Sequence, residues 1–292
     1  MGTGGIHRLP LGANMSTTPL NHTPGRALVT GASTGIGARY AHHLARRGHD
    51  LTLVARNAGR LEALAARLRA ETGRDVRVLP ADLADADGLA RVARELREDE
   101  SLTVLVNNAG IGSVAPLLQS DPDQMQAMID LNVSALTRLT MAAVPGFVAR
   151  GNGTLINIAS VVALHPELLN GVYGASKAYV LAYSQSLCHE LADKGVRIQA
   201  VLPGATGTDF WDLAGKPASE LPAAIVMSAD DMVQAALAGL DQGEFVTIPA
   251  LGEAALWQRL EDARQALGPE LSRNAPAARY GVQAPGATGT NG

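Results

Sequence analysis

Tyr173 and Lys177 stand four residues apart in Val172-Tyr173-Gly174-Ala175-Ser176-Lys177-Ala178-Tyr179. The segment continues with helical period, so both side chains share one face of a helix. A phenol beside an ammonium is an acid–base pair. Coulomb attraction at ~4 Å is worth about 1–4 kcal/mol near a protein surface, and each ~1.36 kcal/mol moves a pKa by about one unit. The ammonium is therefore expected to bring the phenol from about 10 toward neutrality, where a tyrosine serves as a general acid. The chain holds only 3 lysines and 5 tyrosines, so a chance pair at this spacing has a likelihood of roughly 0.05.

A second group of residues has the pattern of a phosphate-binding turn. Thr30-Gly31-Ala32-Ser33-Thr34-Gly35-Ile36-Gly37 follows a short apolar run and opens a helical segment toward Arg47. Glycines here permit positive φ, let the backbone approach a pyrophosphate and let the helix pack close to a sheet, while the helix N-terminus supplies N–H donors. Gly31, Ser33, Thr34, Gly35, Ile36 and Gly37 are the candidate dinucleotide contacts, at the spacing G-x-x-x-G-x-G rather than G-x-G-x-x-G. About 20 residues on, an acidic side chain would select a free ribose 2′-hydroxyl. The chain has Ala55-Arg56-Asn57 there instead. No carboxylate repels a 2′-phosphate and Arg56 offers a planar fork of donors to bind one, so NADP(H) is favoured over NAD(H).

Positioning these groups requires a sheet with helices on both faces. Six short apolar runs, Ala27–Thr30, Leu51–Ala55, Val76–Leu79, Thr103–Val106, Leu155–Ile158 and Ile198–Leu202, alternate with amphipathic segments, and a seventh lies at Phe245–Ile248. In the segment holding Leu61, Leu64, Ala65 and Leu68 the apolar residues recur at three- and four-residue spacing, with Arg67 and Arg69 facing outward. Alternation of this kind predicts an α/β fold, a single-domain, Rossmann-like, doubly wound parallel β-sheet of about seven strands. One domain is expected over residues 25–272, with a lid segment at about 205–227 that includes Phe210, Trp211, Leu213 and Leu221. Residues 1–24 read as a flexible extension and 273–292 as a disordered tail rich in Ala, Gly and Pro.

Composition narrows the class. With 24 Lys+Arg against 28 Asp+Glu the net charge is -4, which gives no electrostatic case for nucleic acid as a partner. The single cysteine, Cys188, excludes an internal disulfide and a Cys-based zinc site, reads as a buried helix residue and fits a reducing cytoplasm. No metal site is expected. The longest uncharged apolar candidate, Leu155–Leu164, is interrupted by Asn157 and Ser160 and falls short of the ~18 residues of a membrane span, so no membrane association is expected either.

Taken in order, these motifs resemble the short-chain dehydrogenase/reductase superfamily in its compact form, over nearly all of residues 25–250. The T-G-x-x-x-G-I-G turn is Thr30–Gly37, and Asn107-Asn108-Ala109-Gly110 after the fourth strand matches N-N-A-G. The resemblance implies an adenine contact at Asp82 and Leu83, cofactor contacts at Asn108, Ala109 and Gly110, and a nicotinamide site formed by Pro203, Gly204, Thr206 and Thr208. It implies a catalytic tetrad of Asn132, Ser160, Tyr173 and Lys177. Ser160 would polarise a substrate carbonyl and Tyr173 would protonate its oxygen as hydride arrives from the nicotinamide. Lys177 would lower the Tyr173 pKa and hold the nicotinamide ribose, and Asn132 would anchor a water of a proton path. Alone, Ser160 is a loop hydroxyl and Asn132 a polar interruption of a helix; their order around Tyr173 and Lys177 is what selects the catalytic reading.

The chain departs from NADPH-preferring relatives at Thr34, where a basic residue is common, so phosphate selection rests on Arg56. His165, between Ser160 and Tyr173, either contacts substrate or holds the loop before Pro166. The expected function is an NADPH-dependent reductase that interconverts a ketone and a secondary alcohol. The alternatives are a nucleotide-sugar epimerase or dehydratase of the same superfamily and a non-catalytic dinucleotide-binding regulator. Ile111, Val161, Val162, Leu168, Leu169 and Phe210 suggest a hydrophobic or amphipathic carbonyl substrate. Two long apolar helices, about Pro122–Arg150 and Gly171–Lys194, imply a homodimer or homotetramer, because related reductases pair such helices across a two-fold axis.

Overall fold

Short runs rich in Val, Leu and Ile, buried on both sides except in the edge strand β3, form the strands β1 (Arg26–Thr30), β2 (Asp50–Ala55), β3 (Val76–Pro80), β4 (Leu102–Asn107), β5 (Gly153–Ile158) and β6 (Val196–Val201). Two two-residue strands follow, β7 (Thr206–Gly207) and β8 (Met227–Ser228), and then β9 (Val246–Thr247). This computed structural model describes residues 24–282. Its main sheet is parallel, in the order β3-β2-β1-β4-β5-β6-β9. The expected doubly wound seven-stranded sheet is therefore present, with the seventh strand at the edge.

Helices cover both faces, as parallel strands joined by crossovers require. On one face α1 (Gly35–Arg46), α2 (Ala58–Thr72) and α8 (Ala229–Asp241) bury Tyr40, Leu44, Leu61, Leu68, Val233 and Leu237. On the other, α3 (Ala86–Glu98), α5 (Leu136–Arg150) and α6 (Gly171–Glu190) bury Leu89, Val92, Leu139, Phe147, Leu187 and Cys188. The expected long helix from Pro122 is α4 (Pro122–Ile129), a π-helical turn at Asp130–Ala135, and then α5. Among the described residues it is the stretch long and apolar enough to match a membrane span by length and composition, and Met128, Leu139 and Phe147 on it are fully buried within the fold.

A buried polar chain ties the middle of the sheet to the second helical layer. Asn107 Nδ2 donates to Thr140 Oγ1 and to Asn157 Oδ1, both at 3.0 Å, and Asn157 Nδ2 donates to Ser184 Oγ at 2.9 Å. Because unsatisfied amides are costly in a dry interior, β4, β5, α5 and α6 are fixed in one mutual register. At the opposite, N-terminal edge, the buried Arg26 donates to Leu51 O at 2.7 Å and pairs with Asp75 and Asp99, which ties the ends of the first strands together.

The segment expected to be a lid is closed on itself by the parallel pairing of β7 with β8, Thr206 against Met227 and Gly207 against Ser228. Between them lie α7 (Phe210–Ala214) and two 3-10 turns. The chain divides into two compact units at Ala250 and Leu251, not at 272 as expected from sequence. Beyond this point lies α9 (Ala254–Ala266). That helix buries only Glu261 and leaves Leu256 and Leu260 exposed, so helical spacing there does not mean membership of the core. The expected disordered tail contains a 3-10 turn at Ala278–Tyr280. Its remainder, 283–292, and residues 1–23 of the expected extension lie outside the described residues.

Candidate active site

The strand order reverses between β1 and β4, and crevices form at the carboxyl ends of strands at such a switch point. A cavity of about 1260 Å³ opens there. Its wall includes every cofactor candidate drawn from the sequence except Gly37, namely Gly31, Ser33, Thr34, Gly35, Ile36, Arg56, Asp82, Leu83, Asn108, Ala109, Gly110, Tyr173, Lys177, Pro203, Gly204, Thr206 and Thr208. Ser160 is on the wall as well; Asn132 is not.

The turn after β1 has the form a phosphate requires. Gly31 and Gly35 take positive φ, and a Cβ on Gly37 would fall 2.3 Å from Gly31 O, so the helix can lie this close to the turn only with glycine at 37. Thr34 caps α1 without a side-chain bond to its first-turn amides, and the first turn carries no acid, which leaves its donors and positive dipole end directed at the cavity. Asn108 braces the turn, with Nδ2 donating to Thr30 O at 2.9 Å. Asp82 closes its own loop by accepting from Ala84 N at 2.9 Å. Arg56 stands exposed at the end of β2. These features fit a dinucleotide with its phosphates at α1 and its adenosine beside Arg56.

At the other end, Asn170 caps α6 by accepting from Val172 N and Tyr173 N and so starts the helix that carries Tyr173 and Lys177. Ser160 beside the Tyr173 phenol favours its ionised form, yet burial outweighs this and pushes the phenol up to about 12. Burial also pulls the Lys177 ammonium down to about 8. The expected fall of the phenol toward neutrality is thus not what this site produces by itself. The ammonium lies 5.9 Å from the Tyr173 ring centre and donates to Ile158 O at 2.9 Å, and desolvation of the phenolate outweighs it. A phenol with a raised pKa remains an intact proton donor.

Asn132 lies in the π-helical turn, where the extra residue per turn aims its amide away from the helix's own ladder. Oδ1 accepts from Ile111 N at 3.0 Å, and Nδ2 donates to Ile111 O at 2.9 Å and to Ser176 Oγ at 3.1 Å. Both amide hydrogens are committed, so the side chain acts as a positioning residue that joins the loop after β4 to α6. A Cβ on Gly110 would stand 3.0 Å from Asn132 Oδ1, a tight contact that glycine avoids.

Phe210 stands against Tyr173 with ring centres 5.6 Å apart. Trp211 instead packs within the lid, with Nε1 donating to Thr206 O at 3.0 Å. His165 pairs with Glu167 at 3.2 Å, is exposed, and does not reach the cavity wall. Three charged wall residues are not among the candidates drawn from the sequence, Arg60, Asp209 and Lys216. Arg60 pairs with Asp209 of the lid stem at 3.6 Å. Its position four residues beyond Arg56, at the start of α2, was the available signal.

A doubly wound sheet with a glycine turn at its switch point and a buried Ser-Tyr-Lys group beside it defines a Rossmann-type nucleotide-dependent enzyme. The profile of the short chain dehydrogenase family matches residues 26–217, and the chain belongs to that family. A short-chain dehydrogenase from Sphingobium yanoikuyae, solved in complex with NADPH, superposes with a TM-score of 0.85 at 48% identity, over 88% of this chain and 99% of that one. A bulky-bulky ketone specific alcohol dehydrogenase from Comamonas testosteroni gives 0.82 at 44%, over 89% and 99%. Human 17-beta-hydroxysteroid dehydrogenase type 3 is 36% identical over 186 residues, 62% of this chain, and the match spans 59% of the human protein's length. The very-long-chain 3-oxoacyl-CoA reductase of Anas platyrhynchos is 33% identical over 67% of this chain and 64% of its own length.

The lowered Lys177 pKa has a direct readout, because the chain has only 3 lysines. In protein labelled at lysine Cε, one resonance is expected to titrate near 8 and to vanish in Lys177→Arg. Three resonances that all titrate near the unperturbed ~10.4 would contradict the burial of this ammonium.

Proposed function

We propose that the protein is an NADPH-dependent reductase that interconverts a ketone and a secondary alcohol, with Tyr173 as general acid and base. The observation that carries this reading is one continuous cavity with a phosphate-type turn and Arg56 at one end and the Tyr173 phenol beside Ser160 at the other. NADPH, when bound, supplies the hydride. Ser160 orients and polarises the carbonyl oxygen, Tyr173 gives it a proton, and Lys177, held on Ile158 O, presents a positive charge that stabilises the phenolate left behind. The six apolar residues singled out from sequence, Ile111, Val161, Val162, Leu168, Leu169 and Phe210, all line the cavity, which supports a bulky hydrophobic or amphipathic ketone. The bulky-ketone specificity named for the Comamonas enzyme points the same way.

Tyr173→Phe removes only the phenol oxygen. It is expected to bind NADPH as before and to lose at least ~10²-fold in turnover, since general acid catalysis supplies about 10²–10⁴. Near-normal ketone reduction by the variant, followed through NADPH absorbance, would sink the assigned role.

The cofactor preference rests on Arg56. A charge-assisted bond to the 2′-phosphate is worth about 1.5–3 kcal/mol, so Arg56→Ala should weaken NADPH binding roughly 10- to 100-fold. NADH has no phosphate there to lose. Ala55→Asp should go further, because a carboxylate repels the phosphate and accepts from a free ribose hydroxyl. Equal loss for both cofactors in fluorescence titrations would make Arg56 a surface residue and remove the NADP assignment.

We further propose a homodimer or homotetramer built on the helical run from α4 to α5 and on α6, where Met141 is 66% and Tyr179 36% exposed. Light scattering at micromolar concentration is expected to give two or four times the chain mass; a monomer would reject this assembly.

A further inference from the structure

The cavity wall is divided by charge. Toward the dinucleotide end it carries Arg56, Arg60, Asp82 and Asp209. Asp209 is taken up by Arg60 and Asp82 by its own loop. The lid is held at the other end, since Val114 N of the loop after β4 donates to Ala214 O at 3.1 Å and Phe210 covers Gly112 and Tyr173. There the lining is apolar, with Ile111, Val162, Leu169, Leu213 and Ile225. It contains no carboxylate and one cation that the proposed chemistry does not use, Lys216.

Lys216 is placed by the backbone rather than by chance exposure. Gly215 closes α7 in the left-handed region at φ +94, Lys216 N donates to Trp211 O at 3.0 Å, and Pro217 follows. The residue is half-buried. Among the described residues its ammonium has no ion-pair partner, whereas Lys194 pairs with Asp193 and Lys177 donates to Ile158 O. The nearest acids in sequence, Asp212 and Glu220, are exposed and lie off the cavity wall. A lysine stem covers apolar surface readily, and its ammonium takes a counter-charge where one is in reach. An anion that enters the cavity would supply the one that this part of the wall lacks.

We propose that Lys216 determines substrate class by receiving the carboxylate of an amphipathic keto acid, whose apolar body fills the wall between Lys216 and Tyr173. This rests on the reductase reading. The ketone carbon meets Ser160 and Tyr173 while the far carboxylate meets Lys216, so chain length between the two groups sets the fit.

The test uses the full-length protein with NADPH and a series of ω-oxo-ω-phenylalkanoates of increasing chain length, each paired with its methyl ester. Wild type is expected to favour the acid over its ester in kcat/KM at one preferred length, and Lys216→Met to lower that acid-to-ester ratio about tenfold or more, chiefly through KM for the acid. Lys216→Arg should keep the preference, and added salt should weaken it in wild type, because a half-exposed charge is screened. The proposal is overturned if the ratio is the same in wild type and Lys216→Met, or if that variant lowers acid and ester alike, which would mark a structural lid residue. A loss of NADPH affinity in Lys216→Met would also overturn it, by placing the ammonium at the cofactor. Calorimetric titration with the phenylalkanoates keeps the two readings separable. If no ketone is turned over, the reductase reading falls, and carboxylate binding that does or does not depend on Lys216 still decides the second.

Discussion

A buried ammonium needs a fixed acceptor, and in this protein that acceptor is the carbonyl of Ile158. Because Ile158 ends β5, its carbonyl is at a height set by the sheet, and α6 must lie so that Lys177 reaches it. The rest of the site follows. Tyr173 is one turn back on the same helix, Ser160 is two residues past Ile158 on the same strand end, and the two can meet only if strand and helix keep this register. The buried chain from Asn107 through Asn157 to Ser184 holds that register, and Asn132 ties the loop after β4 to Ser176. None of these ties is made by the Tyr173 phenol or by Ser160, yet each bears on the distance between the two.

Burial acts on the two titrating groups in opposite directions. It raises the phenol and lowers the amine, so the neutral form of each is favoured. In the dry site the attraction between phenolate and ammonium is spent against the desolvation of both. The protein alone thus stores an intact acid beside a cation held close by.

Sequence made the strongly periodic parts legible. The seven runs of the sheet, the outward Arg67 and Arg69 of α2, the glycine turn and the Tyr173–Lys177 pair follow from two- and four-residue spacings and from residue types with narrow conformational roles. Features that depend on distant contacts were hidden. The π-helical turn leaves no mark in composition, because Asp130–Ala135 reads as ordinary helix until Ile111 and Ser176 are brought up to Asn132. The strands β7 and β8 are too short to show alternation and exist only as each other's partners. The phenol's pKa was misjudged for a related reason: attraction was read from spacing, whereas burial, the larger effect, is a property of the packed fold.

The division of the cavity explains why cofactor and substrate differ in how much the chain discloses about them. A dinucleotide has a constant shape, so the residues that fit it are backbone features, a helix end, a glycine turn and a strand terminus, and these are set by the order of the sheet. The segment between β7 and β8 is held by that pairing, by Arg60 at Asp209, by Phe210 against Tyr173 and by Val114 at Ala214. Between those anchors, residues such as Leu213 and Lys216 can change without disturbing a strand or the core, since neither belongs to either helical layer. The features that fit a dinucleotide are therefore fixed by the fold, whereas the lining beside Tyr173 includes side chains that the fold leaves free to vary.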